Sequence, residues 1–285
     1  MSRGERQNHS GNLSHSMRQN YEEHGVSEYY KQVGATYRNP HFPGVRQCLF
    51  SWFTRWWTME SANFGGLTDP QSDEKKVLLF DMACGSGEVT LAFAEWWKLG
   101  KQRYLESQEA SISHQSPDGE PTKLHIPRRK AQMNMPPPLG SDFPEPLVIA
   151  ADPFTSTAFT ERTSFPCSTQ SFSDIAEGTI PSTVINLSSN KSNEDEAPTH
   201  IEMVVCSFAL HLIDNPSELF SLLWELSTKA RWLVILAPHK KPEIKDGWGW
   251  TKWNVDSWEA CTMSEHKGEL LYERVHCRVY RSTAL

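Results

Sequence analysis

A chain of 285 residues has the length of one large domain, or of one domain with extensions. Its 38% apolar residues, with 11 Trp, 13 Phe and 7 Tyr, are enough for a sizeable core and exclude wholesale disorder. The 28 basic against 35 acidic side chains leave a net charge of −7, which argues against the basic face of a nucleic-acid binder. No stretch approaches the ~18 uncharged apolar residues of a membrane span.

Residues 1–20 are polar, without periodicity, and are expected to be a disordered tail. The chain then becomes aromatic: Leu49, Phe50, Phe53, Trp56 and Trp57 recur at helical spacing, so residues 21–74 predict an N-terminal helical lid. Val77–Phe80 is a short continuous apolar run, the pattern of a strand buried on both faces of a parallel sheet. A glycine turn follows, then a helix from Glu88 to Leu99 that Gly100 is expected to stop. Residues 104–146, with Pro136-Pro137-Pro138, read as a flexible insertion. Leu147–Ala151, Met203–Ser207 and Trp232–Ala237 are further buried strands, and a third strand falls either within Phe165–Ile175 or at Thr183–Leu187. Residues 186–199 read as a second flexible insertion. Pro216–Lys229 is a helix carrying Leu219, Leu222, Leu223 and Leu226. Arg274–Arg281 alternates, as an edge or antiparallel strand would. Strands alternating with helices predict an α/β sheet of six strands, and no seventh stands out.

The six cysteines form no C-x-x-C pair and lie scattered among apolar stretches, which predicts reduced, buried thiols and a cytoplasmic setting. Cys261, His266, His276 and Cys277 lack the spacing of a zinc site, and His276 and Cys277 would point to opposite faces of a strand. No metal is expected. Trp248, Trp250, Trp253 and Trp258 are expected to anchor a loop.

The most informative segment is Asp81-Met82-Ala83-Cys84-Gly85-Ser86-Gly87, between a buried strand and a helix. A glycine turn there lets backbone approach a ligand closely beside unpaired helix N-terminal N–H groups. A P-loop would need Lys-Ser/Thr after the last glycine, where Glu88-Val89 stands. A dinucleotide fingerprint would need a third small residue, where Thr90 stands, and Glu88 would repel phosphates. A nucleophile elbow would need a glycine where Cys84 stands, and Cys84 itself reads as a small apolar filler of the turn. What remains is a turn with an acid at the strand end, suited to a ligand with cationic and hydroxyl groups.

Val77–Gly87 resembles the first motif of class I S-adenosylmethionine-dependent methyltransferases, an acid followed by x-Gly-x-Gly-x-Gly, with Ala83 in place of the first glycine. Leu147–Asp152 resembles the second strand, Ser173-Asp174-Ile175 the adenine-contacting position, and Val204–His211 the fourth strand and the loop beneath the methyl group. The resemblance covers about residues 75–240, and Glu28–His41 is similar to a segment of fungal methyltransferases of unassigned substrate.

It implies a Rossmann-like methyltransferase fold over residues 75–285, with a mostly parallel central sheet flanked by helices, and S-adenosylmethionine as cofactor. It places Asp81 near the cofactor amino group and Ala83, Gly85 and Gly87 against its methionine portion. Asp152 would hold both ribose hydroxyls, Asp174 would face the adenine amine, and Ile175 would pack on the ring, with Ser207 and Phe208 beneath the methyl group. His211 is either a general base or a residue packed beside the fourth strand. Tyr30, Tyr37, Arg38 and His41 are expected to bind the substrate from the lid. The reaction implied is methyl transfer to O, N or C of a small-molecule acceptor. The rival readings are a protein or RNA methyltransferase and a non-catalytic interaction module.

Overall fold

Four consecutive apolar side chains in a strand must be covered on both faces. The computed structural model describes residues 25–64, 76–113, 135–194, 197–198, 200–239 and 241–285, and Val77, Leu78, Leu79 and Phe80 lie fully buried in β1 (Lys76–Met82). β2 (Leu147–Ala151) and β5 (His200–Ser207) run parallel to β1 on either side, and β6 (Ala230–Ala237) runs parallel to β5. Along β5 and β6, alternate residues divide between two cores. Met203, Val205, Trp232 and Val234 pack under α2 (Phe42–Phe64) and α3 (Glu88–Ser113). Val204, Cys206, Leu233 and Ile235 pack under α6 (Pro216–Ser227), through Leu219, Leu222, Leu223 and Leu226.

The remaining strands are β3 (Thr183–Asn186), β4 (Lys191–Glu194), β7 (Trp250–Asn254), β8 (Glu259–Ala260), β9 (Leu270–Tyr272) and β10 (Val275–Ser282). The sheet order is β4-β3-β2-β1-β5-β6-β10-β7-β8, with β9 paired to β10. β10 is antiparallel to both β6 and β7, so the alternating C-terminal run is an interior strand. The third strand is the Thr183 alternative, and it is antiparallel to β2. β4, β7, β8 and β9 are not among the strands expected from the sequence, and two of the tryptophans expected to anchor a loop, Trp250 and Trp253, belong to β7.

Several expected boundaries move. The helix beginning at Glu88 does not stop at Gly100 but continues to Ser113, because Gly100 is where another segment packs. A Cβ there would lie 2.5 Å from the Leu139 side chain, and Leu139 N–H donates to the Gly100 carbonyl. Leu139 and Phe143 are buried, with the Phe143 ring 4.8 Å from that of Trp57, so these two side chains anchor residues 135–146 of the expected insertion on the core. The second expected insertion contains β4, an exposed strand hydrogen-bonded to β3. The helix α2 of the expected lid is core as well, with Trp52, Phe53 and Trp56 fully buried. The expected tail 1–20, the lid residues 21–24 and 65–74, and residues 114–134 of the first insertion lie outside the described residues. Among the described residues no helix is long and apolar enough to cross a membrane.

Candidate cofactor site

In an open α/β sheet, ligands bind beyond the carboxyl ends of the strands where the strand order reverses direction. Here that point lies between β1 and β5, since the chain proceeds outward to β2 on one side and to β6 on the other. A cavity of about 330 Å³ occupies it, within the usual range for small-ligand sites. Its walls come from the glycine turn, the end of β2, the segment Gln170–Ile175, the end of β5, and the N-terminal residues Tyr30, Tyr37 and Asn39.

The turn is built on left-handed backbone at Ala83 (φ 55°), Gly85 (φ 58°) and Gly87 (φ 86°), of which only Ala83 carries the steric cost of a side chain. The two glycines serve different ends. At Gly85, a cavity wall, a Cβ would meet Tyr37 Cε1 at 3.2 Å and Glu88 Oε2 at 3.3 Å. Gly87 faces away from the cavity and lets α4 (Ser156–Thr163) approach, since a Cβ would lie 2.6 Å from Thr163 Cγ2.

Asp81 also lies behind the wall. Its Oδ2 accepts from Thr90 N at 3.0 Å and Thr90 Oγ1 at 2.7 Å, while its Oδ1 is buried with no partner among the described residues. Complete burial pushes its carboxyl up to about 8 against the pull of the Thr90 bonds. A carboxyl so raised binds its proton in the folded state at pH values where the unfolded chain has lost it. Its contribution to stability is therefore greatest below the unfolded value and declines as pH rises towards 8. Asp81→Asn, which mimics the protonated form and does not ionise in the unfolded chain, is expected to melt close to wild type near pH 4 and increasingly above it from pH 5 to pH 8. Parallel pH profiles in calorimetry would refute this.

Asp152 stands at the end of β2 on the cavity wall and is already engaged. Oδ1 accepts from Phe154 N and Thr155 N, each at 2.8 Å, and Oδ2 accepts from Gly85 N at 3.1 Å. The carboxylate thereby ties the glycine turn to the start of α4.

Asp174 does not reach the cavity. It is fully exposed, in the first turn of α5 (Phe172–Ala176), where it forms a capping box with Ser171. The Ser171 N–H and hydroxyl bonds hold its carboxyl below the usual carboxylate range. The spacing Ser171-x-x-Asp174 is a capping signature legible in the sequence. Ile175 does line the cavity, as do Phe172 and Gln170. Three lining residues carry buried polar atoms with no partner among the described residues: Gln170 Oε1, Thr155 Oγ1 and Ser207 Oγ. Such atoms are rare in folded proteins and are ordinarily satisfied by water or ligand. No sequence signal singled out Gln170.

Glu88, read in the sequence only as a repeller of phosphate, is a junction. Its carboxylate accepts from Asn39 N at 3.1 Å, Ser86 N at 3.2 Å and Ser86 Oγ at 2.7 Å, and pairs with Arg162 at 2.7 Å. Arg162 also donates to Ser86 Oγ and lies over the Phe42 ring. The N-terminal segment is thus fastened to the glycine turn.

The residues expected on the substrate side divide. Tyr30, in α1 (Val26–Val33), and Tyr37 line the cavity, with Tyr30 stacked on Phe154 at 6.3 Å and edge-on to Tyr37 at 5.5 Å. Arg38 and His41 do not line it. Arg38 donates to the Tyr37 carbonyl, and His41 stacks at 5.0 Å on Phe208, a lining residue in left-handed backbone (φ 60°). His211 sits on the 3-10 turn Leu210–Leu212 with Nδ1 buried and unpartnered among the described residues. Burial, His239 and Arg278 lower its pKa, and the cavity is lined by its neighbours Leu212 and Ile213 instead. Among the described residues no three His, Cys, Asp or Glu side chains group to hold a metal.

The cavity thus lies at the switch point of an α/β sheet whose four central strands are parallel and whose flanking pairs are antiparallel. The chain belongs to the same family as the uncharacterized protein C17A5.05c of Schizosaccharomyces pombe, to which it is 37% identical over 275 residues, covering 96% of this chain and 95% of that protein. No family model matches. Among solved structures, the magnesium protoporphyrin IX methyltransferase (ChlM) of Synechocystis PCC 6803, with bound SAM, aligns over 92% of each chain at 12% identity and a TM-score of 0.38, too faint a likeness to bear on this chain's chemistry.

Proposed function

We propose that this protein is an S-adenosylmethionine-dependent methyltransferase acting on a small-molecule acceptor. The observation that carries the reading is convergence. The glycine turn, Asp152, Ile175 and the Ser207–Phe208 loop come from four separated stretches of sequence, and all border one cavity. Among the described residues the charged ones lining it are Glu88, paired with Arg162, and Asp152, so the walls present acids and no lining cation, which suits a sulfonium better than a phosphate.

The residues present fit that cofactor, with two changes from the sequence-based expectation. Each carboxylate oxygen offers about two acceptor sites, so Asp152, with three bonds made, keeps one position on Oδ2 for a ribose hydroxyl. With Asp174 turned outward, Gln170 Oε1 is the acceptor available to the adenine amine, between the walls formed by Phe172 and Ile175.

The cofactor, when bound, supplies an already activated methyl group. The chain's part is alignment and exclusion of water: Tyr30, Tyr37 and Asn39 cover the cavity from the N-terminal side. Among the described residues no His or Lys lines it, and the two lining carboxylates, Glu88 and Asp152, are engaged in holding backbone N–H groups, which suits an acceptor that is a neutral amine and needs no base.

Isothermal titration with S-adenosylmethionine and its demethylated product tests the reading. Wild type and Asp174→Ala are expected to bind alike, and Gln170→Ala about three- to tenfold more weakly, the worth of one neutral hydrogen bond. Folded wild-type protein that binds neither compound would sink the proposal.

A further inference from the structure

We propose that Cys84 and Cys167 are a thiol pair that peroxide converts reversibly to a disulfide, distorting the cavity wall. The two Sγ atoms lie 3.4 Å apart, and a disulfide needs about 2.05 Å. Cys84 belongs to the glycine turn and lines the cavity, 3% exposed, whereas Cys167 is half-buried behind the wall. The residue beside Cys167 is strapped to the end of β2: Ser168 N–H donates to the Ala150 carbonyl, and its own carbonyl accepts from Asp152 N. Cys84 is tied to the same strand end, its N–H donating to the Ala151 carbonyl, so closing the gap strains both ties and the adjoining Gly85, whose N–H is held by Asp152 at 3.1 Å. The bond would thus be made at the expense of the cavity wall.

Accessibility orders the steps. Burial first, and then the hydrogen bond with Cys167, push the Cys84 thiol well above its ordinary pKa, so it stays protonated. The more exposed Cys167 is oxidised first: peroxide delivers one oxygen to its Sγ, giving a sulfenic acid and one water. Cys84 Sγ then attacks that sulfur, the S–S bond forms, the S–O bond breaks, and the departing hydroxide takes the Cys84 proton as a second water. Two thiols lose two hydrogens in all, and one peroxide becomes two waters.

The molecule carries its own control. Cys48 and Cys277 are also hydrogen-bonded thiols, but both are fully buried and neither lines the cavity. They are expected to stay reduced.

The cross-link stands on the geometry alone, while its effect on cofactor affinity rests on the reading proposed above. Full-length protein treated with hydrogen peroxide, alkylated and digested without reductant should give a Cys84–Cys167 peptide pair two hydrogens lighter and no Cys48–Cys277 pair. Dithiothreitol should reverse it, and S-adenosylmethionine should slow its formation. Oxidation should weaken S-adenosylmethionine binding at least tenfold in wild type and leave Cys167→Ala unaffected. Hydrogen exchange over residues 83–88 should change on oxidation, a readout that needs no cofactor. Absence of the Cys84–Cys167 pair, with Cys167 passing on to sulfinic acid, would overturn the proposal. So would a cross-linked protein with unchanged exchange at the turn or with unchanged affinity. Reduced protein that ignores S-adenosylmethionine would count against the cofactor reading instead, with the cross-link still judged by mass and exchange.

Discussion

Asp152→Ala is expected to abolish measurable cofactor binding and to lower the melting temperature by roughly 10 °C. Three backbone N–H groups, those of Gly85, Phe154 and Thr155, lose their acceptor at once. A hydrogen bond to a charged group is worth about 1.5–3 kcal/mol, and three that share one carboxylate are not additive, so a total of about 3–4 kcal/mol is reasonable. For a chain of this size each kcal/mol moves the melting temperature by about 2–4 °C. Asp152→Asn separates the two effects. Its amide oxygen can keep the Phe154 and Thr155 bonds, but its NH2 then faces the Gly85 N–H, donor against donor. Stability should largely return while affinity stays at least tenfold down. Calorimetry and titration on both variants check this, and an alanine variant that binds normally would mean that the carboxylate does not hold the turn.

Glu88→Ala should release the N-terminal cover. It deprives Asn39 N and Ser86 N of their acceptor and leaves the Arg162 guanidinium with Ser86 Oγ alone at this junction. Breaking a buried pair costs about 3–5 kcal/mol; Arg162 keeps 23% of its side-chain exposure, so about 3 kcal/mol is the fitting end of that range. Hydrogen exchange should rise over residues 29–41 by far more than over β1 or β5. Arg162→Met should do less, because Glu88 keeps its three other donors. Uniform loosening across the sheet would show that Glu88 supports the whole core and not the cover.

The two variants concern residues that the sequence made visible to different degrees. Asp152 follows a run of apolar residues and precedes a proline, so its place at a strand end could be read directly. Its three backbone partners could not, since they depend on how α4 and the glycine turn fold back. The strands β1, β2, β5 and β6 were legible because burial on both faces leaves an unbroken apolar run. β7 was not, because Lys252 interrupts it, a residue buried by pairing with Glu269 from elsewhere in the chain. Gly100 misled for a similar reason: a glycine needed for close approach of Leu139 looks the same in sequence as one that ends a helix. Asp174 shows the limit most plainly. A match at the right position in the right order fixed where the backbone passes, and the neighbouring Ser171 decided which way the carboxylate turned.

The place of β10 between β6 and β7 bears on how the protein is made. Until residues 275–282 have left the ribosome, β6 presents an unpaired edge with Leu233, Val234, Ile235 and Leu236 along it. Bare apolar edges of that kind invite pairing with other chains. The nascent protein therefore carries this exposed edge late in synthesis, after every described residue of the cavity wall has been translated. A premature stop after Tyr272 would make that exposure permanent, removing no described residue of the cavity yet leaving bare the β6 edge on which β10, and through it β7 and β9, are built.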